Sequence, residues 1–234
     1  MLGIVIPAHN EARLIGSTLG AVMAAARHPD LHGEPVEVVV VLDACSDATG
    51  VIAARAGART VSLRVRNVGV ARAVGAEAML AASARWLAFT DADTVVSPSW
   101  LVDQLAQESD AVCGSIGVDD WSSHGVHAGA IEAHFQRTYA DVDGHSHIHG
   151  ANLGVSAAAY RRAGGFRHLA CSEDVALVRA LEATGARIAW SAKPRVVTSS
   201  RRDGRARGGF ADALRAAVAA GVAAVVPPGA TAAG

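Results

Sequence analysis

The sequence predicts an α/β fold with a mainly parallel central sheet flanked by helices. Three observations carry this. Strand-like runs at Leu2–Ile6, Val36–Leu42, Arg59–Leu63 and Arg85–Thr90 alternate with stretches of helical spacing through the first half of the chain. The connections between them are short, as in chains that return each strand through a crossover helix. Val36–Leu42 is almost all valine, the composition of a strand covered on both faces.

Taken in order, Leu2–Ile6 is closed by Pro7, and residues 10–26 place Leu14, Leu19, Val22 and Met23 on one helical side. His28–Pro35 is a turn-rich loop. After Val36–Leu42, Ser46–Gly57 is a helix with Ser46 or Asp47 as its cap and Gly57 as its stop. The strand Arg59–Leu63, the alanine-rich helix Gly69–Ala84 and the strand Arg85–Thr90 complete the first half. In the second half, Ala111–Val118 is a strand, residues 125–140 a helix, and Gly144–Gly154 a loop rich in His and Gly. Ser156–Ala163 is a short helix ended by Gly164 and Gly165. Ser172–Thr184 is a helix with Ser172 as its N-cap and Glu173 and Asp174 in its first turn. Arg187–Trp190 and Arg195–Thr198 are short strands. The expected organisation is one domain over 1–208, with halves 1–110 and 111–208, then a helix over 209–226 and a disordered tail over 227–234.

Composition narrows the function classes. The chain has 234 residues, 51% of them hydrophobic and 18% charged, which excludes a disordered or collagen-like protein. A net charge of −1 argues against general nucleic-acid binding, which needs a basic field. Cys45, Cys113 and Cys171 lie far apart with no CxxC pair, so neither a disulfide framework nor a zinc knuckle is expected. With no signal peptide and no transmembrane span in prospect, the expected location is the cytoplasm.

In such sheets ligands bind beyond the carboxyl ends of the strands. There the chain carries Ala8-His9-Asn10-Glu11, then Asp43-Ala44-Cys45-Ser46-Asp47, then Asp91-Ala92-Asp93. Three polar, acidic strand ends on one edge suit a cation and a polar ligand. Asp91 and Asp93 gather round one hard cation, Mg²⁺ or Mn²⁺, if the chain turns there. The plainer alternative is a polar strand end that caps the next helix.

Here the chain resembles the family 2 glycosyltransferases, which have the GT-A nucleotide-sugar fold with a Rossmann-like sheet. Ile4-Val5-Ile6-Pro7-Ala8-His9-Asn10-Glu11 is similar to that family's first-strand phrase. Val41 to Thr49 is similar to its Asp-Asp-x-Ser-x-Asp-x-Thr phrase, and Asn67 to Gly75 to its Asn-x-Gly…Ala-Arg-Asn-x-Gly helix. Asp91-Ala92-Asp93 matches the DXD metal triplet. His149 to Gly154, followed by Tyr160 to Phe166, matches the acceptor-side phrase, and Ser172 to Leu177 the Glu-Asp helix start. The phrases fall in the family's order from residue 4 to about 202.

The resemblance implies a metal-dependent transfer of a sugar from a nucleotide diphosphate sugar to an acceptor hydroxyl. It implies inversion, with Asp174 as general base. Pro7, Ala8, Glu11, Asp43, Arg72 and Asp91 would bind the donor nucleotide, and Asp93 the Mg²⁺ or Mn²⁺. A UDP-sugar ranks first, ahead of GDP- and dTDP-sugars. Leu42, Cys45 and Ala73 depart from the usual Asp, Ser and Asn. No His follows residue 168, so the downstream His ligand of some GT-A enzymes is absent. Retaining enzymes share the fold. A non-catalytic sugar-binding module would keep the pocket without needing Asp93 and Asp174 together. A nucleotidyltransferase would open on a Gly-rich loop and a dinucleotide oxidoreductase on GxGxxG, and Pro7–Glu11 is neither.

Six histidines fall between His124 and His149. His145-x-His147-x-His149 invites a zinc reading, but no Cys is close enough in sequence to complete a tetrahedron. We expect these residues to wall a sugar or acceptor pocket, with His149, Gly150, Asn152, Glu173 and Trp121 as its members. Asn152 would read a hydroxyl through its amide, and Trp121 would stack on a sugar ring, against the plainer view of a loop Trp packed on its own domain. Arg201 and Arg202 would close over the diphosphate. The helix over 209–226 would pack on the domain or pair two chains as a homodimer.

Overall fold

A computed structural model describes residues 1–200. The expected helix over 209–226, the tail over 227–234, and Arg201 and Arg202 lie outside the described residues. The strands are β1 (Leu2–Ala8), β2 (Val36–Asp43), β3 (Arg59–Leu63), β4 (Trp86–Phe89), β5 (Thr94–Val96), β6 (Ala111–Gly117), β7 (Leu153–Ser156) and β8 (Ile188–Thr198). The helices are α1 (Ile15–Ala25), α2 (Thr49–Arg55), α3 (Val68–Ala81), α4 (Trp100–Leu105), α5 (Ala128–Thr138), α6 (Ala157–Arg162) and α7 (Glu173–Ala183). The chain divides into two compact units.

The first unit, residues 1–119 and 141–199, holds one eight-stranded sheet in the order β3-β2-β1-β4-β7-β6-β8-β5. β1 to β4 are parallel neighbours, as the strand and helix alternation predicts. β7, however, enters antiparallel between β4 and β6, and β5 runs antiparallel to β8. The sheet is therefore mixed and not purely parallel: six strands run one way, and β7 and β5 the other. Apolar runs report burial, not direction, so the sequence held no signal for the reversal. Two further elements, β5 and α4, fall in residues 94–105, for which no element was expected. β7 lies partly in the expected His/Gly loop, and the two last strands are one, β8.

One face of the sheet is covered by α3 and α7. Ala71, Ala76, Met79, Leu177, Val178 and Leu181 pack against Val5, Val39, Val41, Leu87 and Phe89 in a continuous core. The small residues of α3 let it sit close. A Cβ on Gly75 would collide with the side chains of Val5 and Val41. Ile4, Ile6, Val38 and Val40 are also fully or nearly fully buried, and by alternation they face the other side. Burial on both faces explains the valine-rich run.

β6 and β8 break register between Gly114 and Ile116, where the single residue Ser115 of β6 faces residues 192–195 of β8. The bulge frees carbonyls from the ladder. Asn152, fully buried, fills it. Its Nδ2 donates to Ser115 O at 2.7 Å and Pro194 O at 2.6 Å, and its Oδ1 accepts from Trp100 Nε1 at 2.9 Å. A Cβ on Gly114 would occupy the same space.

The described part of the second unit comprises residues 120–140 and Ser200. It holds a 3-10 turn over Ser122–His127 and α5. Trp121 is buried there, its ring 5.4 Å from Phe135 and 6.2 Å from His124.

Candidate functional site

The carboxyl ends of β1, β2 and β4 carry the three polar phrases, as the topology requires. The first two are laced together. Asn10 Oδ1 accepts from Ser46 N at 2.8 Å, the Glu11 N–H donates to Thr49 Oγ1 at 2.8 Å, and the Ala12 N–H donates to Asp47 Oδ2 at 3.0 Å. The Cys45 thiol donates to Ala8 O at 3.3 Å and accepts from the Asn10 N–H. Burial pushes the Cys45 thiol up, against the hydrogen bond from Asn10, so it stands as a neutral donor. Pro7 and Ala8 lie opposite Val41 and Leu42 on β2. Glu11 is buried, and its carbonyl starts α1 by accepting from Leu14 and Ile15.

Asp43 ends β2 and is buried. Its Oδ1 accepts the N–H groups of Val65 and Arg66, both at 2.8 Å, and its Oδ2 that of Asn67 at 2.7 Å. The carboxylate thus fixes the loop that enters α3. His9 Nδ1 lies 2.6 Å from Asp43 O. A carbonyl only accepts, so Nδ1 carries the proton and Nε2 is left as the acceptor nitrogen. Asp43 is among the expected donor-nucleotide residues, and His9 is not.

Asp91-Ala92-Asp93 is a turn. The Thr94 N–H donates to Asp91 O at 3.2 Å. The donor set is hard oxygen. Among the described residues no cluster of three or more His, Cys, Asp or Glu is arranged to hold a metal ion. Two carboxylates suit a Mg²⁺-like cation that draws its remaining ligands from substrate phosphates and water. The residues fit such a shared site and not a closed protein cage.

Arg72, on α3, is almost wholly buried. Its Nη2 donates to Asp91 Oδ1 at 2.5 Å and its Nη1 to Glu173 Oε1, and its Nε has no hydrogen-bond partner. The guanidinium sits 5.9 Å from the Phe166 ring centre. Glu173 is itself buried, whereas Asp91 keeps about a third of its side chain exposed (35%). A Cβ on Gly150 would collide with the guanidinium, so glycine is required for this approach.

Glu173 and Asp174 open α7. Ser172, at the cap position, has φ +57°, a left-handed conformation, and its side chain makes no capping bond. The expected Ser172 cap is therefore not formed. Asp174 instead uses its Oδ1 to accept the Val175 N–H and its Oδ2 to accept the Gly150 N–H, both at 2.8 Å. The loop before α7 also covers the start of α3. Gly69 N–H donates to Leu169 O, and Asn67 Nδ2 to His168 O, both at 3.1 Å.

His149 adjoins this corner. Burial pushes its imidazole down to about 4, with the Asp174 charge acting against that shift, so it is neutral at pH 7. The His145, His147 and His149 rings stack at 5.4 and 6.0 Å between centres. His145 turns inward instead of outward to a ligand, with Nε2 toward Ser191 O at 3.4 Å and Nδ1 accepting the His147 N–H at 3.1 Å.

Of the expected site residues, the structure brings Arg72, Asp91, Gly150, Glu173, Asp174 and His149 into one neighbourhood. It does not bring Asn152, whose amide is consumed by the β6–β8 bulge. Trp121 belongs to the second unit. The Arg72–Glu173 pair spans 101 positions, and no local signal announces it.

The mixed eight-stranded α/β sheet matches the sheets of GT-A glycosyltransferase structures. The family profile described as Glycosyl transferase family 2 matches residues 3–163, and the chain belongs to that family. Among curated proteins none matches in sequence. Among solved structures the chain is similar to S. aureus TarS in complex with UDP-GlcNAc, at 17% identity and a TM-score of 0.64, covering 89% of this chain and 61% of that one. A mannosyltransferase from Pyrobaculum calidifontis in complex with GDP-Man and Mn²⁺ gives 18%, 0.60, 97% and 76% in the same order. M. tuberculosis glucosyl-3-phosphoglycerate synthase gives 18%, 0.55, 92% and 75%. At these identities the likeness shows the fold alone, and the chain spans about three fifths of the TarS structure. Among the described residues no helix is long and apolar enough to cross a membrane.

Proposed function

We propose that this chain transfers a sugar from a nucleoside diphosphate to an acceptor hydroxyl, with inversion at the anomeric carbon. The observation that carries this reading is the meeting of the β4 end with the start of α7. Asp91, in the donor-side turn, joins through Arg72 to Glu173, whose neighbour Asp174 carries the proposed base, held by the Gly150 N–H. Donor and acceptor chemistry require those two ends at one site.

The β1 and β2 loops would receive the nucleoside, with Pro7, Ala8 and Glu11 forming the wall. Asp43 holds the loop over 65–67, and His9 Nε2 offers an acceptor. Asp91 and Asp93 would hold a divalent cation, Mg²⁺ or Mn²⁺, which neutralises the leaving diphosphate. The P. calidifontis enzyme's complex with GDP-Man and Mn²⁺ supports that assignment. Asp174 would take the proton from the acceptor hydroxyl as its oxygen bonds to the anomeric carbon. The bond from that carbon to the diphosphate oxygen breaks, and the electron pair leaves with the nucleoside diphosphate. The Gly150 N–H orients the Asp174 carboxylate. UDP ranks first as the donor nucleotide on the sequence phrases, and the TarS complex with UDP-GlcNAc supports it.

The test is release of nucleoside diphosphate from UDP-, GDP- and dTDP-sugars with Mn²⁺, with the acceptor varied across sugars, phosphorylated small acids and lipid-linked sugars. Turnover of one donor class, slowed in Asp174→Asn by about 10²–10⁴, supports the reading. No release from any donor, with or without an acceptor, overturns it.

A further inference from the structure

Sequence reading placed Glu173 beside its neighbour in the acceptor pocket. The structure turns the two carboxylates in different directions. Asp174 reaches the Gly150 backbone, whereas Glu173 is buried and reaches Arg72. Arg72 in turn grips Oδ1 of Asp91. The guanidinium is enclosed by Phe166 on one side and by Gly150, which leaves no room for a side chain, on another. Two of its nitrogens are spent and the group is almost wholly buried, so it is held in place before any ligand arrives.

We propose that Glu173 is a positioning residue for the donor end of the site, acting through Arg72 on Asp91. This rests on the transferase reading above. A buried arginine with one carboxylate partner would swing or draw in water, because an unpaired charge is costly there. Glu173 supplies the second partner and so fixes the direction in which Arg72 presents Nη2. Asp91 then meets the nucleotide with one oxygen already committed and its carboxylate plane fixed. The three side chains carry one positive and two negative charges, so the cluster is one positive charge short. The divalent cation that accompanies a nucleoside diphosphate would supply positive charge at Asp91, the most exposed of the three. Adjacent residues at the start of one helix therefore serve different substrates: Glu173 the donor, Asp174 the acceptor.

The experiment is calorimetric titration with UDP plus Mn²⁺, or with GDP plus Mn²⁺ if that is the nucleotide bound, on wild type, Glu173→Gln, Asp91→Asn, the double variant and Asp174→Asn. Glu173→Gln is expected to weaken Mn²⁺-dependent nucleotide binding about tenfold, about 1.4 kcal/mol. Asp91→Asn weakens it further, and the double variant is no worse than Asp91→Asn alone, because the two act along one path. Asp174→Asn binds the nucleotide as wild type does. Glu173→Asp, which keeps the charge one methylene shorter, shows the same direction with a smaller loss and serves if the Gln variant does not fold. Wild-type binding by Glu173→Gln, or losses that simply add in the double variant, would overturn the positioning role alone. If wild type binds neither nucleotide, the transferase reading falls and this proposal with it.

Discussion

Asp174 accepts the backbone N–H of Gly150 at 2.8 Å, across the gap between the start of α7 and the loop before β7. This bond orients the proposed base through a backbone group that no side-chain substitution removes. Asp174→Asn keeps an acceptor oxygen for it while losing the basic carboxylate. We expect kcat to fall by about 10²–10⁴, with nucleotide affinity unchanged. Steady-state kinetics beside calorimetric titration check this.

Gly150 is bound to the same corner by space. Gly150→Ala would press a methyl group into the Arg72 guanidinium. Overpacking of this kind costs about 1–3 kcal/mol. The expected outcome is a lower urea midpoint together with weaker Mn²⁺-dependent nucleotide binding, because Arg72 must move off Asp91. Equilibrium unfolding and titration of one preparation read both effects.

Asn152 separates a structural role from a pocket role. Asn152→Ala strands two carbonyls and the Trp100 indole N–H in a buried bulge. Each such loss costs about 1–3 kcal/mol, so the variant should lose several kcal/mol in urea unfolding. A stable variant with only a raised KM would instead restore the sugar-pocket role.

His149 makes a pH prediction. Its imidazole sits near 4 in the folded chain against 6.5 for the free group, because burial disfavours the charged form. Between those values the unfolded chain binds the extra proton, so stability rises with pH through that window and is lost as pH falls from 6.5 toward 4. His149→Gln should flatten the dependence. Urea midpoints from pH 4 to 7.5 in both proteins check it.

How far the sequence foretold this arrangement depends on distance along the chain. The strands of the first half were legible because each is a short valine-, leucine- or isoleucine-bearing run with a helix to follow. The strand-end phrases were legible because strand ends are where parallel sheets place ligands. Antiparallel β7 was hidden in Leu153–Ser156, four residues that begin inside a segment whose glycines and histidines suggest a loop. Asn152 was misjudged because flanking glycines suit a ligand-binding turn and a tight bulge equally well. Only the register break opposite Pro194 tells them apart. Arg72 and Glu173 each stood out, but their pairing follows from how α3 meets α7, which no local pattern encodes.

The central claim is a donor site for a nucleoside diphosphate with a divalent cation. Thermal unfolding of the full chain with UDP, GDP and dTDP, each with and without Mn²⁺, tests it most directly, with Asp93→Ala as the control. A ligand at a hundred times its dissociation constant should add about 2.7 kcal/mol of stability. The account predicts a Mn²⁺-dependent rise for one nucleotide that disappears in the variant. Unchanged unfolding with all three nucleotides would contradict it.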